Sequence, residues 1–104
     1  MRLADFQWMT KRQHRNDPTE NAGRQIVLDF GSYHLSVIDD GYGREDHLLE
    51  IGVFTAADGV ASGMTELPGI TDEGDSVKGY LTESDVDCII KKLYAITGVA
   101  PTQI

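Results

Sequence analysis

The sequence has little cysteine and little positive charge, and each shortage excludes a class of protein. Its single cysteine, Cys88, excludes an internal disulfide framework and a multi-cysteine zinc site. Nine basic residues against seventeen acidic ones give a net charge of -8, which repels nucleic-acid phosphate. We therefore expect a protein of a reducing compartment that does not bind DNA or RNA directly.

Long apolar runs and a basic-then-apolar leader are also lacking, which excludes a helical membrane span and predicts a soluble cytoplasmic protein without a membrane partner. Hydrophobic residues make up 40% and charged residues 25% of the 104 residues, close to the averages of globular proteins. A chain of this length and composition predicts one domain with one modest core.

Motifs for nucleotide or calcium binding start but are not completed. Gly41 and Gly43 resemble the beginning of a dinucleotide fingerprint, but Asp46 stands in place of the third glycine. Residues 72–83 have the length of a calcium loop, but Val77 replaces the glycine that its sharp turn needs. The sequence therefore predicts no cofactor and no metal.

A nucleophile and base formed by Cys88 and a histidine is the one catalytic arrangement to weigh, and no local signature supports it. The histidines are His14, His34 and His47. We therefore expect a protein that is not an enzyme.

The segment 25–55 carries apolar residues in alternation over three successive runs, which predicts an antiparallel meander. Gly31 followed by Ser32 is typical of a tight hairpin turn between the first two strands. Asp58 and Gly59 repeat this chemistry before a fourth strand over residues 60–67, suited to a sheet edge.

A C-terminal amphipathic helix is predicted from its start, stripe and stop. Thr82 is an N-cap and Asp85 completes a capping box, while Gly98 is placed to end the helix. The apolar stripe that would pack on the sheet consists of Val86, Ile89, Ile90, Leu93 and either Ile96 or Thr97. The predicted fold is α+β, a three- to four-stranded antiparallel meander packed against this helix.

Residues 1–24 form a predicted N-terminal arm, partly flexible, and residues 25–104 a single α+β domain. The arm holds five basic and three acidic residues, whereas the domain holds four and fourteen. Phe6 and Trp8 must either dock on the domain or wait for a partner, and docking is favoured. Docked, they could cover Leu48 and Phe54 on the outer face of the third strand. Proteolysis is expected first between Thr10 and Arg24.

Two acidic loops, residues 39–46 and 72–75, are the predicted partner-binding sites. Loop 39–46 combines pliable glycines with tyrosine and arginine, two residue types enriched at binding hot spots. The candidate residues are Asp39, Asp40, Tyr42, Arg44, Glu45, Asp46, Asp72, Glu73 and Asp75. The alternative is that these loops are merely solvated and that their acidity only keeps the protein soluble.

The body of the chain resembles small accessory proteins of tailed bacteriophages and prophages over about residues 25–96. The resemblance rests on the segments DFGSYHLSVI, HLLEIGVF and DSVKGYLTESDV. It implies a phage accessory protein that acts by binding in the cytoplasm of a bacterial host cell. Inhibitors of host defence nucleases, of the anti-CRISPR or anti-restriction type, are one class of such proteins.

Two functions remain open. The first is a non-catalytic inhibitor whose acidic surface occupies the basic nucleic-acid site of a host protein or protein complex. The alternative is a structural or assembly accessory protein, in a virion or a replication module, that oligomerises through its sheet edge, for example as a homodimer. Rising salt would weaken electrostatic binding steeply but edge-strand pairing only slightly.

Overall fold

A computed structural model describes residues 1–10 and 23–104 of the chain. The antiparallel sheet and single C-terminal helix of these residues confirm the predicted α+β fold. The strands are β1 (Met9–Thr10), β2 (Arg24–Asp29), β3 (Tyr33–Ile38), β4 (Leu49–Ala57), β5 (Val60–Met64), β6 (Val77–Leu81) and β7 (Thr102–Gln103), and the helix is α1 (Glu83–Thr97).

The sheet is a meander in the order β1-β2-β3-β4-β5, with two further strands added at its edges. The nine-residue strand β4 pairs with β3 along one side, and its other side is shared by β6 and β5. The C-terminal strand β7 pairs with β2 at Leu28 and Asp29, next to the pairing of β1 with β2. Both β2 and β4 therefore have two short neighbours on one side.

The two tight hairpins have the backbone conformations that their sequences predict. Gly31, between β2 and β3, has a φ of 85°. Asp58 and Gly59, between β4 and β5, have φ values of 54° and 80°. Two successive positive φ angles define the type I′ turn, whose twist matches that of the flanking strands. The hairpin predictions are confirmed.

Helix α1 begins and ends at the predicted residues. The Thr82 hydroxyl accepts a hydrogen bond from the Asp85 N–H at 3.1 Å, and the Asp85 carboxylate accepts one from the Thr82 N–H at 2.9 Å. The hydrogen bond that the Asp85 carboxylate accepts from the Thr82 N–H is the main cause that holds the pKa of Asp85 below its ordinary value. Gly98 ends the helix with a φ of 70°. Thr97 is half-buried and Ile96 is exposed, so the stripe ends on Thr97.

The hydrophobic core lies between α1 and one face of the sheet, which we call the inner face. Alternation along β2, β3 and β4 turns every second side chain towards the helix, where it is excluded from water. The buried apolar residues are Ile26, Leu28, Phe30, Leu35, Val37, Leu49, Ile51 and Val53 of the first three long strands and the turn after β2, with Leu3, Ile70, Leu81, Val86, Ile89, Ile90 and Leu93.

No helix in the described part of the chain is long and apolar enough to cross a bilayer.

The first ten residues dock on the domain, as the sequence favoured. Leu3 is buried, and its N–H donates to an Asp87 carboxylate oxygen of α1 at 2.8 Å. Phe6 and Trp8 pack against the core, and the Arg24 guanidinium lies 5.0 Å from the centre of the Trp8 ring. The polar stretch predicted to be mobile and cleaved first, with its basic Lys11, Arg12 and Arg15, falls almost wholly on residues 11–22, outside the described ranges.

Phe6 and Trp8 do not cover Leu48 and Phe54, so that expectation was wrong. The register pairs Thr10 with Arg24, two residues before the inward-facing Ile26, and this puts the aromatic side chains on the helix side of the sheet. Phe54 lies on the face of the sheet turned away from α1, where it pairs with Met64 of β5.

The sheet has more strands than the three or four predicted. Strands β1 and β7 have two residues each, too short for any alternation to be visible. β6 was not predicted as a strand, because its alternation breaks at Gly79 and Tyr80. The loop before it is also less exposed than expected, since Ile70 and Thr71 are buried.

Candidate functional site

An extra residue in β6 distorts the edge of the sheet around Tyr80. Leu49 pairs with Leu81 and Ile51 with Lys78, so the single residue Glu50 of β4 lies opposite two residues of β6, Gly79 and Tyr80. This is a β-bulge, a feature that is frequent at sheet edges and re-aims side chains next to functional sites.

Tyr80 has a left-handed backbone conformation, with a φ of 57°. A bulky residue other than glycine rarely takes this conformation, which costs about 1–3 kcal/mol and persists only where the surrounding structure imposes it. Such strain is concentrated at binding and catalytic sites. The conformation at Tyr80 therefore marks this bulge as a candidate site.

Loop 39–46 is fastened to the bulge by Tyr42. The Tyr42 carbonyl accepts a hydrogen bond from the Tyr80 N–H at 3.0 Å, and the Tyr42 N–H donates to the Glu50 carboxylate at 2.6 Å. A Cβ on Gly79 would lie 2.5 Å from the Tyr42 Cβ, so the tyrosine packs directly on a strand that has no side chain there. Two hydrogen bonds of the Tyr42 backbone therefore fasten the loop to the bulge and to β4.

Tyr42 and Tyr80 remain exposed despite these constraints, by 64% and 63% respectively. We call these two residues the tyrosine patch. Tyrosine offers a large rigid surface and a hydroxyl group, and it is among the residue types that contribute most to binding energy at protein interfaces. Two such side chains, held on adjacent backbone segments and left uncovered, form a surface ready for a partner.

Three charged residues of loop 39–46 border the patch. Arg44, Glu45 and Asp46 form one turn of 3-10 helix and are all exposed. Gly43, which precedes the turn, has a φ of 102°, and a Cβ there would lie 3.0 Å from the Tyr80 Cα. The turn therefore packs closely against the bulge, and its two carboxylates are presented beside the patch.

Asp39 and Asp40 are more enclosed than the sequence suggested. Asp39 accepts from the Arg24 N–H at 2.6 Å and from the Arg24 guanidinium at 2.8 Å. Its partial burial acts to raise its pKa, but these two hydrogen bonds outweigh the burial and hold the pKa below its ordinary value. Asp40 is half-buried and packs against Gly23. Asp39 thus fastens the start of the loop to β2.

The second acidic loop is separate from the first. Asp72 donates its N–H to the Val77 carbonyl at 3.2 Å, and the Asp75 carboxylate accepts from the Ser76 N–H at 2.7 Å. These contacts fix the loop at the start of β6, whereas the tyrosine patch lies at its end. Asp72, Glu73 and Asp75 are exposed, but the fold does not bring them together with loop 39–46.

Cys88 and His34, one of the pairs weighed as nucleophile and base, lie on different sides of the sheet. Among residues 1–10 and 23–104, no three His, Cys, Asp or Glu side chains come together as a metal site. Cys88 is exposed on α1. His34 lies on the opposite face of the sheet, where it is buried 3.5 Å from Asp29. These two residues therefore cannot form a nucleophile and base.

The sequence identified Tyr42 and its charged neighbours but missed Tyr80 and Glu50. Tyr80 becomes part of the site only through the bulge, which depends on pairing between strands far apart in the chain. No signal within β6 marks the bulge, because Gly79 and Tyr80 interrupt its alternation. Comparison of the chain with family models, with curated proteins and with solved structures finds no match, so the resemblance to phage accessory proteins stays a prediction.

Proposed function

We propose that the protein is a non-catalytic binding protein that occupies a basic surface of a partner protein with its acidic edge. The observation that carries the proposal is the tyrosine patch, since Tyr42 and Tyr80 are held exposed by a bulge in an unfavourable backbone conformation. A structure selected only for stability has no reason to keep that arrangement. In the neighbouring turn Arg44 lies 3.6 Å from the Glu45 carboxylate, and Asp46 adds a second negative charge, so the turn carries net negative charge and favours a basic partner.

The partner class that best matches an acidic protein of this size is a complex that handles nucleic acid. Its phosphate-binding groove is basic, and a net charge of -8 is attracted to such a groove as nucleic acid is. An inhibitor of a host defence complex, of the anti-CRISPR or anti-restriction type, would work in this way. This identity of the partner rests on charge and on the resemblance to phage accessory proteins.

Affinity capture with a matched tyrosine control tests the proposal. The wild type, the double variant Tyr42→Ala/Tyr80→Ala and the control Tyr94→Ala are immobilised and exposed to a bacterial lysate, and captured proteins are identified by mass spectrometry. Tyr94 is also an exposed tyrosine, but it lies on α1. We expect a basic protein that the wild type and Tyr94→Ala retain and the double variant loses. Equal capture by all three would refute the role of the patch.

Binding kinetics on the captured partner then separate local from general acidity. Glu45→Lys/Asp46→Lys reverses the two charges beside the patch, whereas Asp58→Lys/Glu83→Lys reverses two exposed charges on the turn between β4 and β5 and at the start of α1. At low salt, the association rate of the first variant should fall by an order of magnitude or more. The association rate of the second variant should change much less. Equal slowing would mean that only the overall charge attracts the partner.

One observation favours assembly through the sheet edge as a second candidate. Every residue of β5 is exposed, including Val60 and Met64. The edge of β5 that faces away from β4 is unpaired in the described sheet. Strands of this kind add to the edge of another sheet. A mass that rises with concentration in light scattering, and that falls when Ala61→Lys is introduced, would support this candidate over the first.

A further inference from the structure

The face of the sheet turned away from α1, which we call the outer face, carries a hollow at its centre. Ser36 pairs with Gly52, and these small residues form the floor. Around them stand Ile38, Phe54, Met64 and Val77. We call this hollow the outer groove. Its volume is about 180 Å³, and a protein cavity of about 150 Å³ already admits benzene.

Gly52 keeps the groove open. A Cβ at this position would lie 3.1 Å from the Met64 Cε and 3.6 Å from the Val77 Cγ1, so both side chains overhang the glycine. Methionine is flexible and adapts to the shape of what it contacts. The groove therefore has a floor of two small residues, Ser36 and Gly52, and one adjustable wall, Met64, which suits insertion of a single large apolar group.

The ends of the groove are acidic. Glu50 lines it, and loop 39–46 closes that end, since a Cβ on Gly41 would collide with both Glu50 and Ile38. On the β6 side, the Asp75 carboxylate accepts hydrogen bonds from the Ser76 N–H at 2.7 Å and from the N–H of the lining residue Val77 at 3.3 Å. The two acidic loops that lie apart along the β6 edge thus flank a single apolar groove.

Basic side chains next to the groove in sequence point away from it. Arg24 precedes the lining residue Gln25, but it lies over Trp8 and pairs with Asp39. Lys78 follows Val77, but it lines a different groove, between β6 and α1. No lysine or arginine lines the outer groove within the described residues. The groove is therefore apolar in its centre and negative at both ends.

We propose that the outer groove binds a segment of a partner protein in which one large apolar side chain is flanked by lysine or arginine residues. This inference rests on the proposed function and specifies what part of a basic partner is recognised. A second copy of the chain fits poorly, because joining two outer faces would bring their carboxylates together. Nucleic acid would be repelled by the same carboxylates.

Three synthetic peptides test the groove directly on the isotopically labelled full-length protein. The first has a central phenylalanine between lysine pairs, the second has alanine in place of the phenylalanine, and the third has glutamate in place of the lysines. We expect saturable changes in amide chemical shift at Gly52, Phe54 and Val77 with the first peptide and at most weak changes with the others. Equal binding of the alanine or the glutamate peptide would overturn the proposal, as would the absence of binding by any of the three.

A matched pair of glycine variants completes the test. Gly52→Val fills the groove from its floor, whereas Gly63→Val adds the same side chain to β5, where nothing lies within 4 Å of the new Cβ. Gly52→Val should weaken the first peptide about tenfold, which corresponds to ~1.4 kcal/mol, and Gly63→Val should not. If Gly52→Val does not fold, Met64→Ala removes a groove wall at an exposed position and should weaken binding in the same way.

The outcome separates this inference from the proposed function. If no peptide shifts the groove but the captured partner still depends on Tyr42 and Tyr80, the groove proposal fails alone. If the peptide binds in the groove but capture does not depend on these tyrosines, the tyrosine patch is the part that fails. Equal affinity of Gly52→Val and wild type for the first peptide would also refute the groove.

Discussion

The two faces of the sheet are made by the same strands and differ in almost every respect. The inner face is apolar and closed by α1, and its Leu28, Val37 and Ile51 are fully buried. The outer face mixes polar and apolar side chains and has a hollow above Gly52. Because successive side chains of a strand point to opposite sides, the sequence can set the two faces independently. Stability is concentrated on the inner face, which leaves the outer face and its edge available for recognition.

Ile90→Ala should have the largest effect and tests the inner face. Ile90 is fully buried, and truncation of such a side chain costs roughly 2–5 kcal/mol, a large fraction of the free energy of unfolding of a domain of this size. Ile38→Ala, on the outer face, should cost about 1 kcal/mol or less, because Ile38 is only half-buried. Urea unfolding followed by circular dichroism measures both. Similar losses would show that the two faces contribute equally to stability.

Asp39→Asn should have the next largest effect, and it depends on pH. The pKa of Asp39 is lower in the folded protein than its ordinary value of 3.8. Its stabilising contribution is therefore complete above that value and is lost as the pH falls through the lower folded-state pKa. We expect the variant to be less stable than the wild type by about 1 kcal/mol at pH 7, since the ion pair with Arg24 is partly exposed.

Urea unfolding of Asp39→Asn and wild type over a series of pH values provides the check. The difference between them should narrow below about pH 4 as the wild-type carboxylate is protonated. A difference that stays constant with pH would mean that the Arg24 ion pair is not its cause. Replacing all four acidic residues of loop 39–46 with lysine would therefore be a poor test of binding. The loss of the ion pair between Asp39 and Arg24 would itself destabilise the fold.

Tyr80→Gly should leave stability unchanged or raise it by less than about 1 kcal/mol. Glycine takes a φ of 57° without steric cost, although it also makes the unfolded chain more flexible. Capture of the partner should nevertheless be lost, because the exposed ring is gone. Thermal unfolding and the capture experiment, run on the same sample, measure the two effects. A marked loss of stability would show that the conformation at Tyr80 supports the fold and is not kept for binding.

Glu45→Lys/Asp46→Lys should have the smallest effect on stability. Both side chains are exposed, and exposed charges usually change the free energy of unfolding by about 0.5 kcal/mol or less. Unchanged thermal unfolding would make this pair a clean probe of association. A large shift in melting temperature would instead show that the turn supports the bulge.

Local signals predicted the parts of the fold that depend on neighbouring residues. Thr82, Asp85 and Gly98 mark the ends of α1 by hydrogen bonds and turn geometry within a few residues. Gly31 and the Asp58–Gly59 turn do the same for the hairpins. In each case a short stretch of sequence contains the whole physical cause, so reading the residues in order was sufficient.

Contacts between distant residues explain what was not predicted. Tyr80 takes its conformation because β6 pairs with β4 about thirty residues earlier, at Leu49 and Ile51. The outer groove exists because Ser36, Gly52 and Val77 meet in one row across three strands. Arg24 binds Asp39 because the hairpin of β2 and β3 brings them together. Register of this kind is a property of the assembled sheet and is not visible in any single segment.

The two-residue strands β1 and β7 have a consequence for solubility. Both lie along the same side of β2, and the Gln7 N–H donates to the Gln103 side chain at 2.9 Å, which fastens one end of the described chain to the other. They occupy backbone groups of β2 that would otherwise be free to pair with another molecule, and a bare strand edge is a template for aggregation. Removing residues 102–104 would thus promote self-association of the folded protein before it caused measurable unfolding. Strands β1 and β7 therefore protect this edge of β2 from pairing with other molecules.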